Sequence, residues 1–317
     1  MGWYAKSFEG VDIYINDKRL NKKQKATYLN WPGIPYFMLF PNSFKRVFLR
    51  KLLKNPVTAF QIPFILLKYL LHKKQNKQIR ELLFKEENDK KKIPIDKLKI
   101  KDVKRNIIIE TTNIPLCYET VQFYHDSVLI NQYNVSSKKI KDKIVFDAGA
   151  NFGEFAIYCS RLGAKKVYAF EPVTETFERL EKQIELNNLK GKIIPIKMAL
   201  GDKNKTVKIY FSKPEDYAAT IGGHGTNFET ITVIKLDDFC RKEKITNVSF
   251  IKMDVEGYEE NVLNGSTEII TSNKPILSFS AYHKPTDKKV LPALVKSLRP
   301  DYNIRLIKRG EEDFYCD

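Results

Sequence analysis

The segment Asp147–Gly153 (DAGANFG) joins a carboxylate to two glycines, and it stands between an apolar run and a stretch with helical spacing. Glycine lets the backbone turn sharply and approach a bound molecule closely. Glu171 follows 24 residues after Asp147, at the end of the next apolar run. In an open α/β sheet, an acidic side chain at this place accepts hydrogen bonds from the hydroxyls of a ribose. Together these features predict a site for a nucleotide-containing molecule, whereas the glycine turn alone could simply connect a strand to a helix.

The turn lacks the signatures of two common nucleotide-binding loops. Its glycines are Gly149 and Gly153, so the G-x-G-x-x-G pattern is absent, and the chain contains no GxxxxGK[ST] loop. The D-x-G-x-N-x-G spacing resembles motif I of S-adenosylmethionine-dependent methyltransferases instead. That resemblance implies that Asp147 and the neighbouring backbone hold the methionine end of the cofactor, while Glu171 holds its ribose. The cofactor-binding residues predicted here are Asp147, Gly149, Ala150, Asn151, Gly153 and Glu171.

The segment Met198–Asp202 (MALGD) extends this resemblance, because it follows the third predicted strand. In folds of this kind the loop lies along the adenine ring of the cofactor. The apolar side chains of Met198 and Leu200 would flank the ring, and Asp202 would reach its exocyclic amine. Met198, Ala199 and Asp202 are therefore predicted cofactor contacts. The alternative is an ordinary passage from strand to turn that ends in Gly-Asp.

A second group of chemically capable residues lies in Ile251–Glu259 (IKMDVEGYE). Lys252 and Asp254 alternate with apolar residues, so both point to one face of the predicted strand. Charges inside a covered parallel strand are costly unless they are paired or functional. Asp254 falls at the carboxyl end of the strand, beside the predicted cofactor crevice, and Glu256 comes just after it. Either carboxylate suits removal of a proton from an oxygen nucleophile. The alternative is an ion-pair network of Lys252, Asp254 and Glu256 that only fixes the loop.

His283 stands at the end of the fifth predicted strand, which should neighbour the strand that carries Asp254. A histidine with a carboxylate partner is a natural base near neutral pH. The predicted catalytic set is therefore Asp254 and His283 as a proton-handling pair, with Lys252 and Glu256 as supports. His283 could instead be an ordinary surface or capping residue. Asp254, Glu256 and His283 could in principle ligate Mg²⁺ or another divalent ion, but their spacing matches no dedicated metal motif, so no metal site is predicted.

Further blocks of sequence resemble one enzyme family. They read Leu236–Phe239 (LDDF), Ile251–Glu259 and Val262–Gly265 (VLNG), and they accompany DAGANFG and Phe170–Val173 (FEPV). Together they are similar to the FkbM family of methyltransferases over roughly residues 140–285. The family is chiefly associated with O-methylation of hydroxyls on sugars and natural products. The resemblance therefore implies an S-adenosylmethionine-dependent O-methyltransferase that acts on a hydroxyl of a sugar, a glycan or a related metabolite.

These residues require a particular arrangement of strands and helices. Short apolar runs alternate with stretches of helical spacing, which is the pattern of βαβ units and a mostly parallel, covered sheet. The predicted strands are residues 143–148, 166–171, 192–199, 248–254, 275–280 and 303–308. Helices are predicted over residues 153–162, 174–188 and 288–298, and a β excursion over residues 207–212 and 231–235. With the methyltransferase resemblance, we expect a doubly wound α/β fold with a mostly parallel, seven-stranded Rossmann-like sheet.

Charge divides the chain into two regions. The 317 residues carry a formal charge of +17, and residues 1–105 hold +16 of it, with 25 Lys and Arg against 9 Asp and Glu. We therefore predict a basic, mainly helical N-terminal extension over residues 1–105 and a cofactor-binding domain over residues 106–317. Within the extension, Phe44–Leu53 has the spacing of a short helix and residues 73–105 have the composition of a solvated helix and linker. The extension either docks an acceptor or a surface, or is a packing appendage with charged outer faces.

Two other functions compete with this prediction. A nucleic-acid methyltransferase would use residues 1–105 to follow a phosphate backbone. Enzymes that methylate amines usually carry an N/D-P-P-aromatic turn after the fourth strand, however, and this chain has Asp254–Gly257 (DVEG) there. A peripheral membrane or partner-docking protein with a methyltransferase-like fold would place the basic and aromatic residues 40–75 on an anionic surface. The favoured partner is a small-molecule or glycan acceptor, then an anionic membrane or acidic partner; nucleic acid is less favoured.

Composition also indicates a compartment. The first ten residues are polar and lack the apolar core of a secretory signal. The most apolar run, residues 56–71, is too short to cross a bilayer. The four cysteines lie far apart and form no CxxC pair, so neither a disulfide framework nor a zinc knuckle is indicated. We therefore expect a reduced, cytoplasmic protein that can also lie peripherally at a membrane.

Overall fold

The computed structural model describes residues 10–15, 18–19, 97–112, 120, 123–211, 219–221, 227–309 and 311–317. The chain divides into two compact units, residues 1–98 and 99–317. In the first unit, β1 (Val11–Ile15) and β2 (Lys18–Arg19) pair as an antiparallel hairpin. The helix predicted over Phe44–Leu53 lies outside the described residues, as does the Lys-rich stretch 73–96.

The boundary between the two units falls at the first residue of β3 (Leu98–Asp102). The next strand along the chain, β4 (Ile107–Thr111), is the neighbour of β3 in the sheet. Leu98, Ile100 and Asp102 are buried, whereas the intervening lysines are at least partly exposed. This period-two alternation is the signal of a strand. The helix and linker predicted from the Lys-rich composition are therefore wrong for residues 98–102, because the alternation outweighs the composition.

The main sheet begins with three parallel strands, β5 (Ile144–Ala148), β6 (Lys166–Phe170) and β7 (Ile193–Ile196). The helices before and between them, after a π-helical turn at His125–Leu129, are α1 (Ser137–Ile140), α2 (Glu154–Arg161) and α3 (Thr174–Leu186). These bounds confirm the two predicted βα pairs to within two residues at each end. The strands are buried apolar runs because helices cover both faces of such a sheet.

Helix α3 buries an apolar face and also pairs with the edge of β4. Its apolar face buries Leu180 and Ile184, which lie one turn apart. On the same side, the Gln183 amide exchanges hydrogen bonds with the backbone of Glu110, and the Asn187 amide does the same with Ile108. Two side-chain amides one helical turn apart thus pair with alternate residues of β4, as a neighbouring strand would. The outer edge of β4 is thereby covered.

A smaller four-stranded sheet leaves the main one after β7. Its strands are β8 (Ala199–Leu200), β9 (Lys205–Phe211), β10 (Thr220–Ile221) and β11 (Asn227–Ile234). The order is β10-β9-β11-β8, which confirms the predicted β excursion. Its own small core contains Val173, Ile209, Ile231 and Val233.

The chain then returns to the main sheet. The remaining elements are α4 (Leu236–Lys242), β12 (Val248–Met253), α5 (Glu259–Asn264), α6 (Thr267–Asn273), β13 (Ile276–Ser280), α7 (Asp287–Leu298), β14 (Ile304–Arg309) and β15 (Glu311–Cys316). The order across the sheet is β7-β6-β5-β12-β13-β15-β14, and β15 runs antiparallel to both its neighbours. The chain winds outward from β5 in one direction and from β12 in the other. The doubly wound, mostly parallel, seven-stranded sheet is therefore confirmed.

Strand β15 is the element of this sheet that the sequence patterns do not predict. It reads EEDFYC, and its first residues are acidic, which is unusual for a strand in the interior of a sheet. Four of its residues are nevertheless buried.

Among the residues that the structure describes, no helix is both long enough and apolar enough to cross a bilayer.

Candidate functional site

The loops after β5 and β12 touch backbone to backbone at the carboxyl ends of two neighbouring strands. These two strands flank the point where the winding of the sheet reverses, which is where open α/β sheets bind ligands. A Cβ atom added to Gly149 would lie 1.9 Å from the carbonyl oxygen of Asp254. Gly149 also has a φ of +73°. Because only glycine suits both the space and the conformation, this contact fixes the glycine loop against the loop that carries Asp254.

We expect Gly149→Ala to lower the free energy of unfolding by about 3 kcal/mol or more, because the new methyl group would force these loops apart. Gly191→Ala is the matched control. Gly191 has a φ of +80°, but no atom lies within 4 Å of the position of its added Cβ. The control isolates the cost of the left-handed backbone, about 1 kcal/mol. Urea unfolding of both variants makes the comparison, and equal losses would contradict the proposed contact.

Lys252 connects β12 to the glycine loop. Its side chain is 5% exposed, and Nζ lies 3.1 Å from Oδ1 of Asp147. The same ammonium donates a 2.6 Å hydrogen bond to the carbonyl of Gly149. Burial alone would lower the pKa of Lys252, but the nearby carboxylates, Asp147 first among them, outweigh burial and raise the pKa. Lys252 is therefore a buried cation that holds the glycine loop in place.

The glycine loop itself turns tightly in front of α2. Asn151 and Gly153 both have positive φ, +49° and +85°. The amides of Gly149 and Ala150 donate to the carbonyl of Phe170, at 3.0 and 2.9 Å. These bonds tie the loop to the end of β6, where Glu171 begins the next connection.

The carboxylate of Glu171 faces this loop. Oε2 accepts a 3.1 Å hydrogen bond from the backbone N–H of Asn151, and Oε1 accepts a 3.0 Å bond from that of Val173. Burial raises the pKa of Glu171 to about 7, although these two backbone donors act in the opposite direction. A carboxylate oxygen has two lone pairs, so each oxygen can still accept a hydrogen bond from a hydroxyl group.

The segment Met198–Asp202, which the sequence predicts beside the adenine ring, contacts the main apolar core and α5. Ala199 lies in the short strand β8, and Met198 is partly buried against the main apolar core. Asp202 lies 3.6 Å from the ammonium of Lys205 and hydrogen-bonds with Asn261 of α5. The role of Met198, Ala199 and Asp202 at an adenine ring stays a prediction.

Asp254 follows directly after β12 and is held by groups from other parts of the chain. The hydroxyl of Tyr133 donates to Oδ2 at 2.8 Å, and that of Ser280, at the end of β13, donates to Oδ1 at 2.9 Å. Burial alone would raise the pKa of Asp254, but Lys252, His283 and the two hydroxyl donors outweigh burial and lower the pKa. The side chain keeps 23% of its surface exposed. Asp254 is therefore an ionised carboxylate that a ligand can reach.

His283 lies beside Asp254 and is oriented by a buried glutamate. Its Nδ1 donates a 3.0 Å hydrogen bond to Oε1 of Glu259, which also accepts from the backbone N–H of Val255. Its Nε2 faces the carboxylates of Asp254 and Glu256, at 3.7 and 3.4 Å. Burial alone would lower the pKa of His283, but the bond to Glu259 and the charges of Asp254 and Glu256 raise it to about 9.

Two acids of β15 complete an anionic crevice with Glu256. The carboxylate of Glu311 accepts a hydrogen bond from the hydroxyl of Tyr282, and Oδ1 of Asp313 lies 3.3 Å from the hydroxyl oxygen of Ser280. Burial, together with the charge of Asp254, raises the pKa of Glu256 and of Glu311 to about 7. The same causes raise the pKa of Asp313 to about 8. Such crowding of carboxylates disfavours an anion in the crevice.

The structure brings the four predicted catalytic residues to one edge of the sheet. Asp254, Glu256 and His283 meet in the crevice, whereas Lys252 points to the glycine loop. The sequence reasoning missed five further residues that shape the crevice, namely Tyr133, Glu259, Ser280, Glu311 and Asp313. Ser280 could have been found as the last residue of a predicted strand. Glu259 could have been found from its place in the IKMDVEGYE block.

Comparison with known proteins relates this chain to methyltransferases. Residues 147–303 match the sequence profile of the methyltransferase FkbM domain. The hexuronic acid methyltransferase AglP of Haloferax volcanii is 29% identical over 175 residues, which are 54% of this chain and 69% of that protein. Methyltransferase 1 of Beauveria bassiana is 26% identical over 167 residues, 46% of this chain and 67% of that protein. Among solved structures, the methyltransferase FkbM of Methylobacillus flagellatus KT is 24% identical with a TM-score of 0.43, over 64% of this chain and 54% of that one.

Proposed function

Because residues 147–303 are a methyltransferase domain of the FkbM family, we propose that this enzyme transfers a methyl group from S-adenosylmethionine to a hydroxyl of a sugar or glycan. The hydroxyl oxygen attacks the methyl carbon in line with its bond to sulfur. The C–O bond forms as the C–S bond breaks, S-adenosylhomocysteine leaves, and the hydroxyl proton passes to a carboxylate. The protein's tasks are therefore to position the two reactants and to accept that proton.

The observation that carries this proposal is the contact between Gly149 and Asp254. The glycine loop is the predicted seat of the methionine end of the cofactor, and the backbone of Asp254 packs directly against it. A carboxylate that follows β12 is thus held beside the place where the methyl group would be presented. The hydroxyls of Tyr133 and Ser280 and the ring of His283 fix its orientation. In this proposal Asp254 and His283 bind the acceptor hydroxyl and handle its proton.

Charge supports a neutral acceptor group. Asp254, Glu256, Glu311 and Asp313 crowd the crevice, and a phosphate placed among them would be strongly repelled. A sugar hydroxyl carries no charge and offers both a donor and an acceptor to such side chains. The relative from Haloferax volcanii is named for a hexuronic acid, which supports a carbohydrate acceptor for this chain, whereas the crowded carboxylates favour a neutral hydroxyl over an acid group at the point of transfer.

Glu171 gives a pH-dependent test of the cofactor half of the proposal. Ribose hydroxyls donate stronger hydrogen bonds to the ionised carboxylate than to the protonated acid, and the pKa of Glu171 in the free protein is about 7. Cofactor binding should favour the ionised form, so the bound pKa is lower than the free one. We therefore expect the affinity for S-adenosylhomocysteine to fall about tenfold as pH drops from about 8 to about 6.

Calorimetry at each pH measures this change. Glu171→Gln should weaken binding at pH 8 by about tenfold or more, because hydrogen bonds to a charged group are lost. The variant should also remove most of the pH dependence. Glu175→Gln, in the first turn of α3, is the matched control and should behave like the wild type. An unchanged affinity of Glu171→Gln would show that Glu171 does not hold the ribose.

A panel of acceptors tests the acceptor half of the proposal. The full chain would be incubated with S-adenosylmethionine that carries a labelled methyl group, together with hexoses, hexuronic acids, complex glycans or RNA in separate reactions. We expect label in a sugar or glycan and none in RNA. Transfer to RNA alone would replace the proposal with the nucleic-acid alternative.

A further inference from the structure

We propose that the crevice binds a divalent metal cation through Nε2 of His283 and the carboxylates of Asp254 and Glu256. The inference rests on the proposed function only in assigning the ion a role, because its ligands come from the acceptor side of the site. The binding itself is argued from geometry and can be measured without cofactor or acceptor.

His283 has a buried ring nitrogen that makes no hydrogen bond. Its side chain is 9% exposed, and the nitrogen concerned is Nε2. A buried ring nitrogen without such a bond is costly unless something else satisfies it. This nitrogen points toward carboxylate oxygens that stand 3.4 and 3.7 Å away. Those separations are ion-pair distances, and they also resemble the separation of two ligands bound to one ion.

Nδ1 of His283, the other ring nitrogen, is held by a carboxylate in the way that is usual for metal-binding histidines. Histidines that bind metals almost always donate their second N–H to a carboxylate or carbonyl, which fixes the ring and its tautomer. Nδ1 of His283 is held in this way by Glu259, which is 1% exposed. Glu259 is itself fixed by the backbone N–H groups of Val255 and Gly257. Nε2 is therefore directed at the carboxylates by a rigid support, and an ion bound there would replace the proton on this nitrogen.

The three proposed ligands lie close together. Nε2 of His283 is 3.7 Å from Oδ1 of Asp254 and 3.4 Å from Oε2 of Glu256. Glu256, which follows two residues after Asp254, has a left-handed φ of +53°, and Gly257 follows with a φ of +90°. Two successive left-handed residues turn the chain so that the carboxylate of Glu256 faces back toward His283. Small adjustments would place three donors at the roughly 2.0–2.2 Å typical of octahedral Mg²⁺ and of first-row transition ions.

The donor set indicates which ion. One imidazole with two carboxylates is harder than a zinc site built on thiolates, and softer than the all-oxygen sites that Mg²⁺ and Ca²⁺ prefer. Mn²⁺ accepts this mixture and retains open positions for water or an acceptor oxygen. An ion held here would polarise the acceptor hydroxyl, and the carboxylate oxygen of Asp254 that does not bind the ion would accept its proton.

Mn²⁺ alone is the probe for the test. The full chain is freed of metal with a chelator, dialysed and titrated with Mn²⁺, and the free ion is followed by electron paramagnetic resonance. We expect one Mn²⁺ bound per chain. His283→Gln, Asp254→Asn and Glu256→Gln should each weaken binding at least tenfold, and Glu259→Gln, which removes the support of the ring, by about 10- to 100-fold. Glu185→Gln, an exposed acid on α3, should have no effect.

Circular dichroism and binding of S-adenosylhomocysteine confirm that each variant is folded. Should His283→Gln fail to fold, Glu256→Gln still decides the question, because its side chain is 36% exposed on a loop. A wild-type protein that binds no Mn²⁺ at millimolar concentration would overturn the inference. Binding that survives all four substitutions would do so too. Cofactor binding without metal binding would reject the ion alone, whereas loss of cofactor binding in wild-type protein would reject the proposed function.

Discussion

Asp254→Asn is expected to slow methyl transfer by about 10²- to 10⁴-fold, the usual cost of removing a group that handles the reacting proton. Asn has nearly the same shape as Asp, and its carbonyl can still accept the hydroxyl hydrogen bond of Tyr133 or of Ser280. The fold and the affinity for S-adenosylmethionine should therefore change little. The loss should appear in the chemical step, because the charge that attracts the acceptor proton is gone.

Single-turnover transfer at saturating cofactor is the measurement, with an acceptor found in the panel above. Asp301→Asn is a matched control, since Asp301 is an exposed aspartate paired with Lys274 and Arg299. The control should transfer methyl at the wild-type rate. If Asp254→Asn does so as well, Asp254 is a structural residue and the base lies elsewhere.

Lys252→Met should destabilise the protein by about 3–5 kcal/mol, because it leaves the carboxylate of Asp147 buried without its cation. Asp147 is 0% exposed, and Lys252 is the cation that the structure places within ion-pair distance of it. Met fills a similar volume with an unbranched side chain, so packing changes little. The hydrogen bond to the carbonyl of Gly149 is lost in the same step.

The double variant Lys252→Met with Asp147→Asn separates charge from packing. It removes both charges, so it should recover a substantial part of the stability that Lys252→Met loses. Urea unfolding of the three proteins gives the free energies. Lys182→Met, on α3, is the control and should change stability by less than about 0.5 kcal/mol. A loss from Lys252→Met no larger than that of Lys182→Met would show that the ion pair contributes nothing.

The parts of the site that depend on local spacing could be predicted from the sequence. A strand, a glycine turn and an acid at the end of the next strand lie within one βαβ unit, so their geometry follows from short-range rules. Glu171 accepts a hydrogen bond from Asn151 of the glycine loop, as that unit requires. The crevice residues Asp254 and His283 could be predicted to neighbour each other for the same reason, because parallel strands end at one edge.

The remaining crevice residues depend on contacts between distant parts of the chain. Tyr133 reaches Asp254 across 121 residues, and no local pattern marks it. Glu311 and Asp313 arrive on β15, whose acidic start hides the strand. The carboxylates raise the pKa of His283 to about 9, so the neutral base expected from an isolated His–Asp pair is not its state in the free protein. The pKa of His283 depends on how many carboxylates lie around it, and this number is known only from the folded chain.

If the enzyme methylates a sugar hydroxyl, the atom that carries the new methyl group in the product is a sugar oxygen. The wild-type enzyme would be incubated with S-adenosylmethionine labelled with ¹³C in the methyl group and with the best acceptor of the panel, and the product examined by NMR. We expect one labelled methyl carbon bonded as an ether to an oxygen that was a hydroxyl of the sugar. A labelled methyl on nitrogen, on carbon or on a carboxylate would contradict it.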